Sequence, residues 1–296
     1  MSAATQLEST LTCPACGHAS RERMPTDACA YFWNCSACGA RIKPKQGDCC
    51  VFCSYGSVPC PPVQAERNGY DREQRAARHL AHHVLAAYPA LDEFERRLSL
   101  ALYRELAGGL PVTPQALAER VGASSEEVAR RLNDWPAVRR DELQRIVGYW
   151  GLTIVPTRHR MRVAGRELYA WCAWDTLFLP ALLGVSAEVD STCRATGAPV
   201  RLTVGPNALD APDPENLALS FVLPEAGAMR RDVVASFCSH VHFFMSAELA
   251  AACRELPPSA FVLTLGEAFE AGRLRNSGRY WASGFPAAPA DERRSG

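Results

Sequence analysis

Two cysteines that are far apart in the chain stand in settings that suggest chemistry. Cys172 lies in the segment YAWCAWDT, between two tryptophans and three residues before Asp175. Cys238 lies in the segment FCSHVHFF, among aromatic residues and histidines. Thiolate sulfur is a preferred ligand of soft metals, and a carboxylate can carry a proton between reacting groups. The pattern therefore suggests soft-metal chemistry that is coupled to proton transfer.

The local structure around these cysteines can be predicted only in part. If Cys172 begins a helical turn, Asp175 shares its face of the helix. Cys238 opens a segment in which His240 and His242 alternate with apolar residues, which predicts a strand. Sheet packing with satisfied ring nitrogens is the simpler interpretation of these histidines, and metal ligation is the alternative. The spacing alone does not bring the two cysteines together, and an isolated buried cysteine is commonly just a small apolar residue.

Aromatic side chains near the cysteines have two interpretations. They line a dry pocket for an organic group, or they pack in the core. The side chains concerned are Trp171, Trp174, Phe178 and Phe243.

Nine of the thirteen cysteines lie before residue 61, which predicts a metal-binding module. Two CxxC turns separated by 18 residues have the spacing of a zinc ribbon, in which four thiolates converge on a tetrahedral ion. The segment has too few apolar residues for a core of its own, so we expect a bound metal to supply stability. The predicted zinc ligands are Cys13, Cys16, Cys35 and Cys38.

A second group of cysteines follows in the segment GDCCVFCSYGSVPCPP. These thiols predict a second metal site; alternatively, some of them belong to the first site and the pairing of the CxxC turns is different. Cys29 is left over in either scheme. The predicted ligands of the second site are Cys49, Cys50, Cys53 and Cys60.

Composition argues against several classes of protein. A chain of 296 residues, 48% of them hydrophobic, is long enough for two or three domains with a sizeable core. Its 32 basic and 32 acidic residues balance, which argues against a nucleic-acid or membrane partner. We expect no secretory signal in the first eleven residues and no membrane span, because the longest apolar run, 177–185, is too short. We therefore predict a cytoplasmic protein whose thiols stay reduced.

Changes in composition along the chain predict an α+β protein with several parts. A helix is predicted at 92–107, followed by helices whose N-caps are Thr113 and Ser124. This order is typical of a helix-turn-helix, and strands at 151–156 and 160–163 would form its wing. Beyond residue 165, strands are predicted at 199–204, 217–222 and 261–265, and helices around 172–183, 246–254 and 267–272.

The predicted parts have the following order. They are a Cys-rich, zinc-ribbon-like module at 1–65, a linker at 66–80, a winged-helix-like domain at 81–164, a mixed antiparallel sheet-and-helix domain at 165–285 and a disordered tail at 286–296.

The helix-turn-helix has two possible roles, in DNA binding and as a scaffold. Between residues 113 and 146 the sequence contains six basic and six acidic residues, so the segment has no net charge. The would-be recognition helix opens with Glu126 and Glu127, and carboxylates there repel DNA. The charges therefore favour the scaffold.

Longer segments around the two cysteines resemble the alkylmercury lyases. The resemblance extends from about residue 90 to 275 and is carried by the family-specific runs LYAWCAWDTL, ATGAPVRLTV and SFCSHVHFF. It implies a winged-helix-like part before a catalytic domain. It also implies cleavage of the carbon–mercury bond of an organomercurial, which gives a hydrocarbon and Hg²⁺ and contributes to mercury resistance.

The resemblance also implies roles for individual residues. Cys172 and Cys238 would bind mercury, and Asp175 would transfer the proton to carbon. Some family members have a second cysteine where Ser239 stands, and Cys193 matches a family cysteine that looks structural. No organic cofactor is implied. Solution thiols or a mercuric reductase would receive the product.

The N-terminal segment resembles small Cys-rich proteins with the signature GDCCVFCSYGSVxCPP, which occur beside or fused to mercury-resistance proteins. Its second cysteine group is therefore either a structural zinc site or a relay that accepts mercury. Two other functions stay open for the whole chain. One is a metal-responsive winged-helix DNA-binding regulator, and the other is a protein that sequesters mercury without turnover.

Overall fold

The chain forms two compact units, Met1–Leu80 and Ala81–Gly296, in a computed structural model. Cys29 and the tail predicted at 286–296 lie outside the described residues. The structure describes residues 6–25, 30–45, 48–65, 72–210 and 216–281.

The first unit consists mainly of short antiparallel hairpins and short helices. Cysteines make up half of the ten buried residues that form its core, so apolar side chains contribute little to its stability. The hairpins pair β1 with β2 and β3 with β4. The elements are β1 (Glu8–Thr12), β2 (Ala19–Arg23), β3 (Trp33–Asn34), β4 (Arg41–Ile42), α1 (Val51–Tyr55) and α2 (Pro61–Ala65).

A long helix, α3 (Arg72–Ala87), occupies part of the segment that we predicted as a linker. The linker prediction is therefore wrong from residue 72 onward, and residues 66–71 lie outside the described part. Ala77, Leu80 and Val84 are buried at helical spacing, which explains why this segment is helical.

Three capped helices begin where the sequence predicts, the first from its apolar spacing and the other two from their N-caps. They are α4 (Glu93–Leu106), α5 (Pro114–Val121) and α6 (Ser125–Asp134), and the side chains of Asp92, Thr113 and Ser124 cap them. Gly122, in the left-handed conformation, ends α5. Glu127, which is spaced for a capping box on α6, binds Arg130 and Arg131.

A seven-stranded antiparallel sheet follows, in the strand order β11-β10-β8-β9-β7-β6-β5. The two strands predicted as a wing are β7 and β8. They do not pair with each other, because β9 lies between them. The domain boundary predicted at 164–165 falls in the turn between β8 and β9, inside this sheet. The strands are β5 (Val138–Arg140), β6 (Ile146–Tyr149), β7 (Leu152–Thr153), β8 (His159–Val163), β9 (Arg166–Ala170), β10 (Ala187–Thr192) and β11 (Pro199–Val204).

A smaller sheet of three antiparallel strands and four helices complete the second unit. β12 (Ala218–Phe221) pairs on one side with β13 (Phe243–Phe244) and on the other with β14 (Phe261–Thr264). The predicted strands at 199–204, 217–222 and 261–265 are present as β11, β12 and β14, whereas β9, β10 and α8 were not predicted. The helices are α7 (Asp175–Leu183), α8 (Ala226–Ser236), α9 (Ala247–Ala251) and α10 (Leu265–Asn276).

Helix α7 is the most deeply buried helix of the second unit. Every residue from Asp175 to Leu182 is buried, as expected for a helix that is apolar on all sides. Asp175, at its first position, is therefore a carboxylate in the interior, where such groups are rare without a partner or a function. The mixed helices and antiparallel sheets confirm the predicted α+β class. None of the described helices is long and apolar enough to cross a membrane.

Candidate dithiol–carboxylate site

The loop between β9 and α7 holds Cys172 beside Asp175. The N–H of Trp171 donates to the carbonyl of Gly151 (2.9 Å), which ties the start of the loop to the β6–β7 turn. The N–H of Cys172 donates to Oδ2 of Asp175 (2.9 Å), so the carboxylate closes the turn that precedes its own helix. The three-residue spacing predicted a shared helix face if Cys172 began a helical turn; α7 instead begins at Asp175, and the turn before it brings the two residues together.

Cys238 reaches the same place from a different part of the fold. It begins a short 3-10 turn, Cys238–His240, directly after α8. The N–H of Ala173 donates to the carbonyl of Val241 (3.3 Å), which joins the two cysteine segments through their backbones. The Phe237 ring lies 6.0 Å from the Trp174 ring, so aromatic packing supports the same junction.

The two thiols and the carboxylate form one buried cluster. One ligand atom from each of Cys172, Asp175 and Cys238 lies within 4.8 Å of the others. Cys172 is 0% exposed, and Asp175 and Cys238 are each 4% exposed. Two sulfurs and one carboxylate thus share a site from which water is largely excluded.

Burial changes the acidity of all three groups. It raises the pKa of Cys172 well above its usual value, and the hydrogen bond to Cys238 and the charge of Asp175 act in the same direction. The hydrogen bond from Cys172 lowers the pKa of Cys238, but burial and Asp175 leave that pKa above its usual value. Burial raises the pKa of Asp175 to about 6. At neutral pH the cluster therefore contains protonated thiols beside an ionised carboxylate that can accept a proton.

Gly151 is part of the site, although its sequence context gave no sign of it. It lies in the two-residue turn between β6 and β7, where both Trp150 and Gly151 have positive φ. A β-carbon built on Gly151 would lie 2.5 Å from Cγ of Asp175, a distance at which one of the groups must move. Only glycine allows this turn to contact the carboxylate so closely.

A buried cation, Arg275 on α10, also acts on the carboxylate. Its guanidinium carbon lies 4.4 Å from the centre of the Phe178 ring and 4.7 Å from that of Tyr88. Its Nη1 donates to Oδ1 of Asn276 (2.7 Å). The positive charge lowers the pKa of Asp175 and opposes the effect of burial. Arg275 was not predicted, because it lies far from Asp175 in the sequence.

The aromatic residues near the cysteines divide between core and surface. Trp174, Phe178 and Phe243 are buried in the core, where Nε1 of Trp174 donates to the carbonyl of Ala268 (2.8 Å). Trp171 is only half-buried and lines a cleft. Of the four aromatic residues considered for a substrate pocket, Trp171 is the one that lines this cleft.

The strand predicted for His240 and His242 is wrong. The segment turns at Cys238–His240, and β13 begins only at Phe243. His242 Nε2 pairs with the carbonyl of Ser239 (2.8 Å), whereas its buried Nδ1 has no hydrogen-bond partner in the described structure. Only one ring nitrogen of His242 is therefore satisfied, whereas the packing interpretation required both. Neither histidine belongs to a metal-ligand cluster within the described residues.

Cys193 lies outside the site, in a turn that explains its burial. The N–H of Cys193 donates to the carbonyl of Ala198 (2.8 Å), and the carbonyl of Cys193 accepts from the N–H of Gly197 (2.9 Å). Thr196 is within hydrogen-bonding reach of the sulfur, and this contact helps to lower the pKa of Cys193, although burial opposes it. A structural role for Cys193 agrees with these contacts.

The first unit brings together the cysteines of the two CxxC turns. Sulfur–sulfur distances are 3.8 Å for Cys13 and Cys38, and 3.7 Å for Cys16 and Cys35. Each turn closes through a glycine with positive φ, whose N–H donates to the carbonyl of the first cysteine (2.8 Å in both turns). All four sulfurs lie within 4.8 Å of one another.

The remaining four cysteines of the predicted set form a separate cluster around α1. The Cys49–Cys60, Cys50–Cys53 and Cys53–Cys60 sulfur distances are 3.8, 3.7 and 3.6 Å. The Cys49–Cys53 sulfur distance is 3.2 Å. The two groups are thus distinct, and the alternative in which they share ligands is not what the structure contains.

Sequence comparison places this chain in a known family. An α+β fold that buries two thiols beside a carboxylate defines a class of protein whose interior offers the ligands that a soft metal prefers. The family model described as alkylmercury lyase (MerB) matches residues 152–275. The alkylmercury lyase of Staphylococcus epidermidis is 43% identical over 183 residues, which cover 62% of this chain and 82% of that protein. The alkylmercury lyase of Bacillus cereus is 42% identical over 173 residues, which cover 58% of this chain and 78% of that protein. This chain belongs to the alkylmercury lyase family.

A solved structure is similar over most of its own length. The crystal structure of the mercury-bound form of MerB2 superposes with a TM-score of 0.52 and 26% sequence identity. The match covers 68% of this chain and 97% of that one. The fold as well as the sequence is therefore shared with a protein of this family.

Proposed function

We propose that this protein cleaves the carbon–mercury bond of organomercurials by protonolysis, releasing a hydrocarbon and Hg²⁺. The observation that carries the proposal is the buried cluster of Cys172, Asp175 and Cys238, whose ligand atoms lie within 4.8 Å of one another. Mercury is a soft metal that prefers thiolate sulfur, and breaking its bond to carbon requires a proton. The cluster supplies both requirements and needs no organic cofactor.

Capture of R–Hg⁺ by Cys238 is the first step. Burial raises the pKa of both thiols, whereas the hydrogen bond from Cys172 and the charge of Arg139 act to lower the pKa of Cys238. Cys238 is therefore the thiol that more readily becomes the thiolate. Its sulfur bonds to mercury, and its proton leaves to solvent.

Cys172 and Asp175 then complete the reaction. The carboxylate accepts the proton of Cys172, and the second sulfur bonds to mercury. Two thiolates push electron density onto the carbon, which accepts the proton from the carboxylic acid of Asp175 while the carbon–mercury bond breaks. The balance is R–Hg⁺ and two thiols giving the mercury bis-thiolate, RH and one H⁺. Such proton transfer typically contributes ~10²–10⁴ in rate.

Release of the product requires other thiols. Hg²⁺ held by Cys172 and Cys238 would pass to solution thiols or to a mercuric reductase, because a further thiolate can displace each sulfur in turn. The cycle needs reduced cysteines, which favours the cytoplasm as its compartment.

Headspace gas chromatography tests the proposal directly. With methylmercury and excess thiol, the wild-type protein is expected to release methane, and Cys238→Ala to release none. Mercury binding without methane would instead support the sequestering protein. No methane, with salt-dependent binding to duplex DNA, would support the regulator.

For the first unit we propose structural zinc in both cysteine clusters. A Zn–S bond of about 2.3 Å gives a tetrahedron whose sulfur–sulfur edges are about 3.8 Å. Distances of 3.7–3.8 Å in the first cluster and 3.6–3.8 Å for three pairs in the second fit such a site, whereas the Cys49–Cys53 distance of 3.2 Å is shorter than this edge. Cys13, Cys16, Cys35 and Cys38 would hold one ion, and Cys49, Cys50, Cys53 and Cys60 the other. The metal would supply stability that the small core lacks.

We propose that the segment at 81–164, which we predicted as winged-helix-like, is a scaffold without a nucleic-acid partner. Arg131 of α6 forms ion pairs with Asp92, Glu95 and Glu127. Arg130 is also paired with Glu127. Arginines engaged with carboxylates in this way are poorly placed to neutralise phosphates.

A further inference from the structure

A cleft with a volume of about 540 Å³ lies next to both thiol-bearing segments. Trp171, the residue before Cys172, forms part of its wall. Val234, which precedes the Cys238 turn on α8, forms another part. The side chains of Val147 and Val155 extend the apolar surface. The volume is within the usual range of small-molecule sites, about 300–1,000 Å³.

Two arginines make the polar part of this cleft positive. Arg139 is exposed, lies 5.3 Å from the centre of the Trp171 ring and forms no ion pair within the described part of the chain. Arg140 donates to Oδ1 of Asn133 (3.2 Å) and to the carbonyl of Gln144 (3.1 Å), both of which are neutral. No carboxylate is among the residues that line the cleft.

The hydroxyl groups of the cleft are already engaged. Thr153 donates to the carbonyl of Val147 (2.8 Å), and Thr157 donates to that of Ala170 (2.6 Å). The guanidinium of Arg139 is therefore the donor best able to bind an incoming ligand. Its charge also lowers the pKa of Cys238, which indicates that the cleft and the thiols are electrostatically connected.

We infer that this cleft binds the carboxylate of an anionic organomercurial through Arg139 and Arg140, with the apolar part of the ligand against Trp171 and the valines. The inference rests on the proposed lyase function and names its substrate class. Guanidinium groups bind carboxylates in a bidentate manner, and an apolar wall next to them suits an aryl or alkyl chain. A ligand anchored in this way would direct its mercury atom toward the cysteines.

The carboxylate can belong to either ligand of the mercury atom. It can be on the carbon ligand, as in 4-carboxyphenylmercury. It can also be on the sulfur ligand, because organomercurials in thiol solution exist as R–Hg–SR′. In the second case, exchange with Cys238 gives R–Hg–S(Cys238) and R′SH, and the proton of the cysteine moves to the departing thiolate. Both forms share the anionic group that the cleft would recognise.

Paired substrates test the inference with the full-length protein. Release of benzene from phenylmercury and of benzoate from 4-carboxyphenylmercury is measured in 2-mercaptoethanol, and the ratio of the two kcat/KM values is compared between variants. The ratio removes any effect of Arg139 on the thiols, because both substrates use the same cysteines. A second arm measures the kcat/KM of phenylmercury in mercaptoacetate and in 2-mercaptoethanol. The ratio of these two values reports the preference for a carboxylate on the sulfur ligand.

Arg139→Gln is expected to lower the preference for the carboxylated form about fivefold, the size expected for a solvent-exposed charge pair. Arg139→Lys should restore part of the preference, and the preference should weaken as salt increases. Arg162→Gln, which removes an exposed arginine of β8 outside the cleft, is the matched control and should leave the ratio unchanged. The arm in which the effect appears identifies the ligand that carries the carboxylate.

An unchanged ratio in both arms, with hydrocarbon still released, would overturn the cleft assignment and leave the lyase function intact. Absence of benzene and benzoate from the wild-type protein would overturn the proposed function and, with it, this substrate class.

Discussion

Gly151 contacts Asp175 so closely that a β-carbon on Gly151 would lie 2.5 Å from the carboxylate carbon. The turn between β6 and β7 thus forms one wall of the proton-transfer site. This contact explains how the seven-stranded sheet holds the first residue of α7 in position. It also gives a way to move the carboxylate without changing any group that reacts.

Gly151→Ala is expected to displace the Asp175 carboxylate and lower kcat by ~10²-fold, the cost typical of misplacing a reacting group by about 1 Å. Hydrocarbon release under saturating substrate measures the effect. The matched control is Gly165→Ala, in the turn between β8 and β9. Gly165 also has positive φ, but an added β-carbon there meets nothing within 4 Å. The control should lose stability through backbone strain and keep its rate. Equal rates for both variants would contradict the positioning role of Gly151.

Cys172→Ser and Cys238→Ala are each expected to abolish hydrocarbon release, because one thiolate cannot supply the two sulfur ligands that the mechanism requires. Far-UV circular dichroism should show an unchanged fold. Cys253→Ser is the control, since Cys253 is half-buried and outside every cysteine cluster of the described residues. Turnover by either site variant near the wild-type rate would show that its sulfur is not a mercury ligand during the reaction.

Asp175→Asn is expected to lose most activity and gain stability at neutral pH. The folded pKa of about 6 exceeds the ordinary value of 3.8, so the folded state binds the proton more tightly than the unfolded state. The stability of the wild type therefore falls as the pH rises from about 4 to 6 and stays lower above 6. An amide carries no such penalty and should add roughly 2–3 kcal/mol to the free energy of unfolding at pH 7.5. It should add little at pH 3.5. Urea titrations at the two pH values measure the difference, and a variant less stable than wild type at pH 7.5 would contradict the assigned cost of burying the carboxylate.

Sequence patterns predicted the local features of the site better than its long-range ones. The contact between Cys172 and Asp175 depends on one turn, so their spacing indicated it. Cys238 lies beside Cys172 and Asp175 because a backbone hydrogen bond joins Ala173 to Val241. Only the family resemblance suggested that contact. Gly151 and Arg275 were missed because tertiary packing alone brings them to Asp175.

The fold shows the same division between local and long-range information. Capping residues correctly indicated the starts of α5 and α6, because a cap acts within one turn. The wing was wrong, because the pairing of β7 and β8 with β9 depends on the whole sheet. The strand at His240 and His242 was wrong because the chain turns at Cys238–His240, where the N–H of Val241 donates to the carbonyl of Cys238, and strand pairing begins only at Phe243.

The rate of hydrocarbon release should fall below about pH 6, where Asp175 becomes protonated and cannot accept the proton of Cys172. Arg275→Gln removes a buried positive charge that lowers the pKa of Asp175, so the acid limb of the profile should move to higher pH. Arg275→Lys keeps the positive charge, so the acid limb of its pH profile should lie closer to that of the wild type. The measurement is kcat against pH for the three proteins. An acid limb that stays in place in Arg275→Gln would exclude an electrostatic effect of Arg275 on the carboxylate.

Two zinc ions per chain are expected in the purified protein, one for each tetrathiolate cluster. Elemental analysis measures this, and Cys16→Ser and Cys50→Ser should each reduce the stoichiometry by one because each removes a ligand from a different cluster. A strong chelator should melt the first unit, whose buried core is half cysteine, since little apolar burial is left to hold it together. One zinc per chain, with slower product release in low thiol after Cys50→Ser, would instead identify the second cluster as a mercury relay. The distinction is physical: a structural ion stays through turnover, whereas relay thiols must be vacant to accept Hg²⁺.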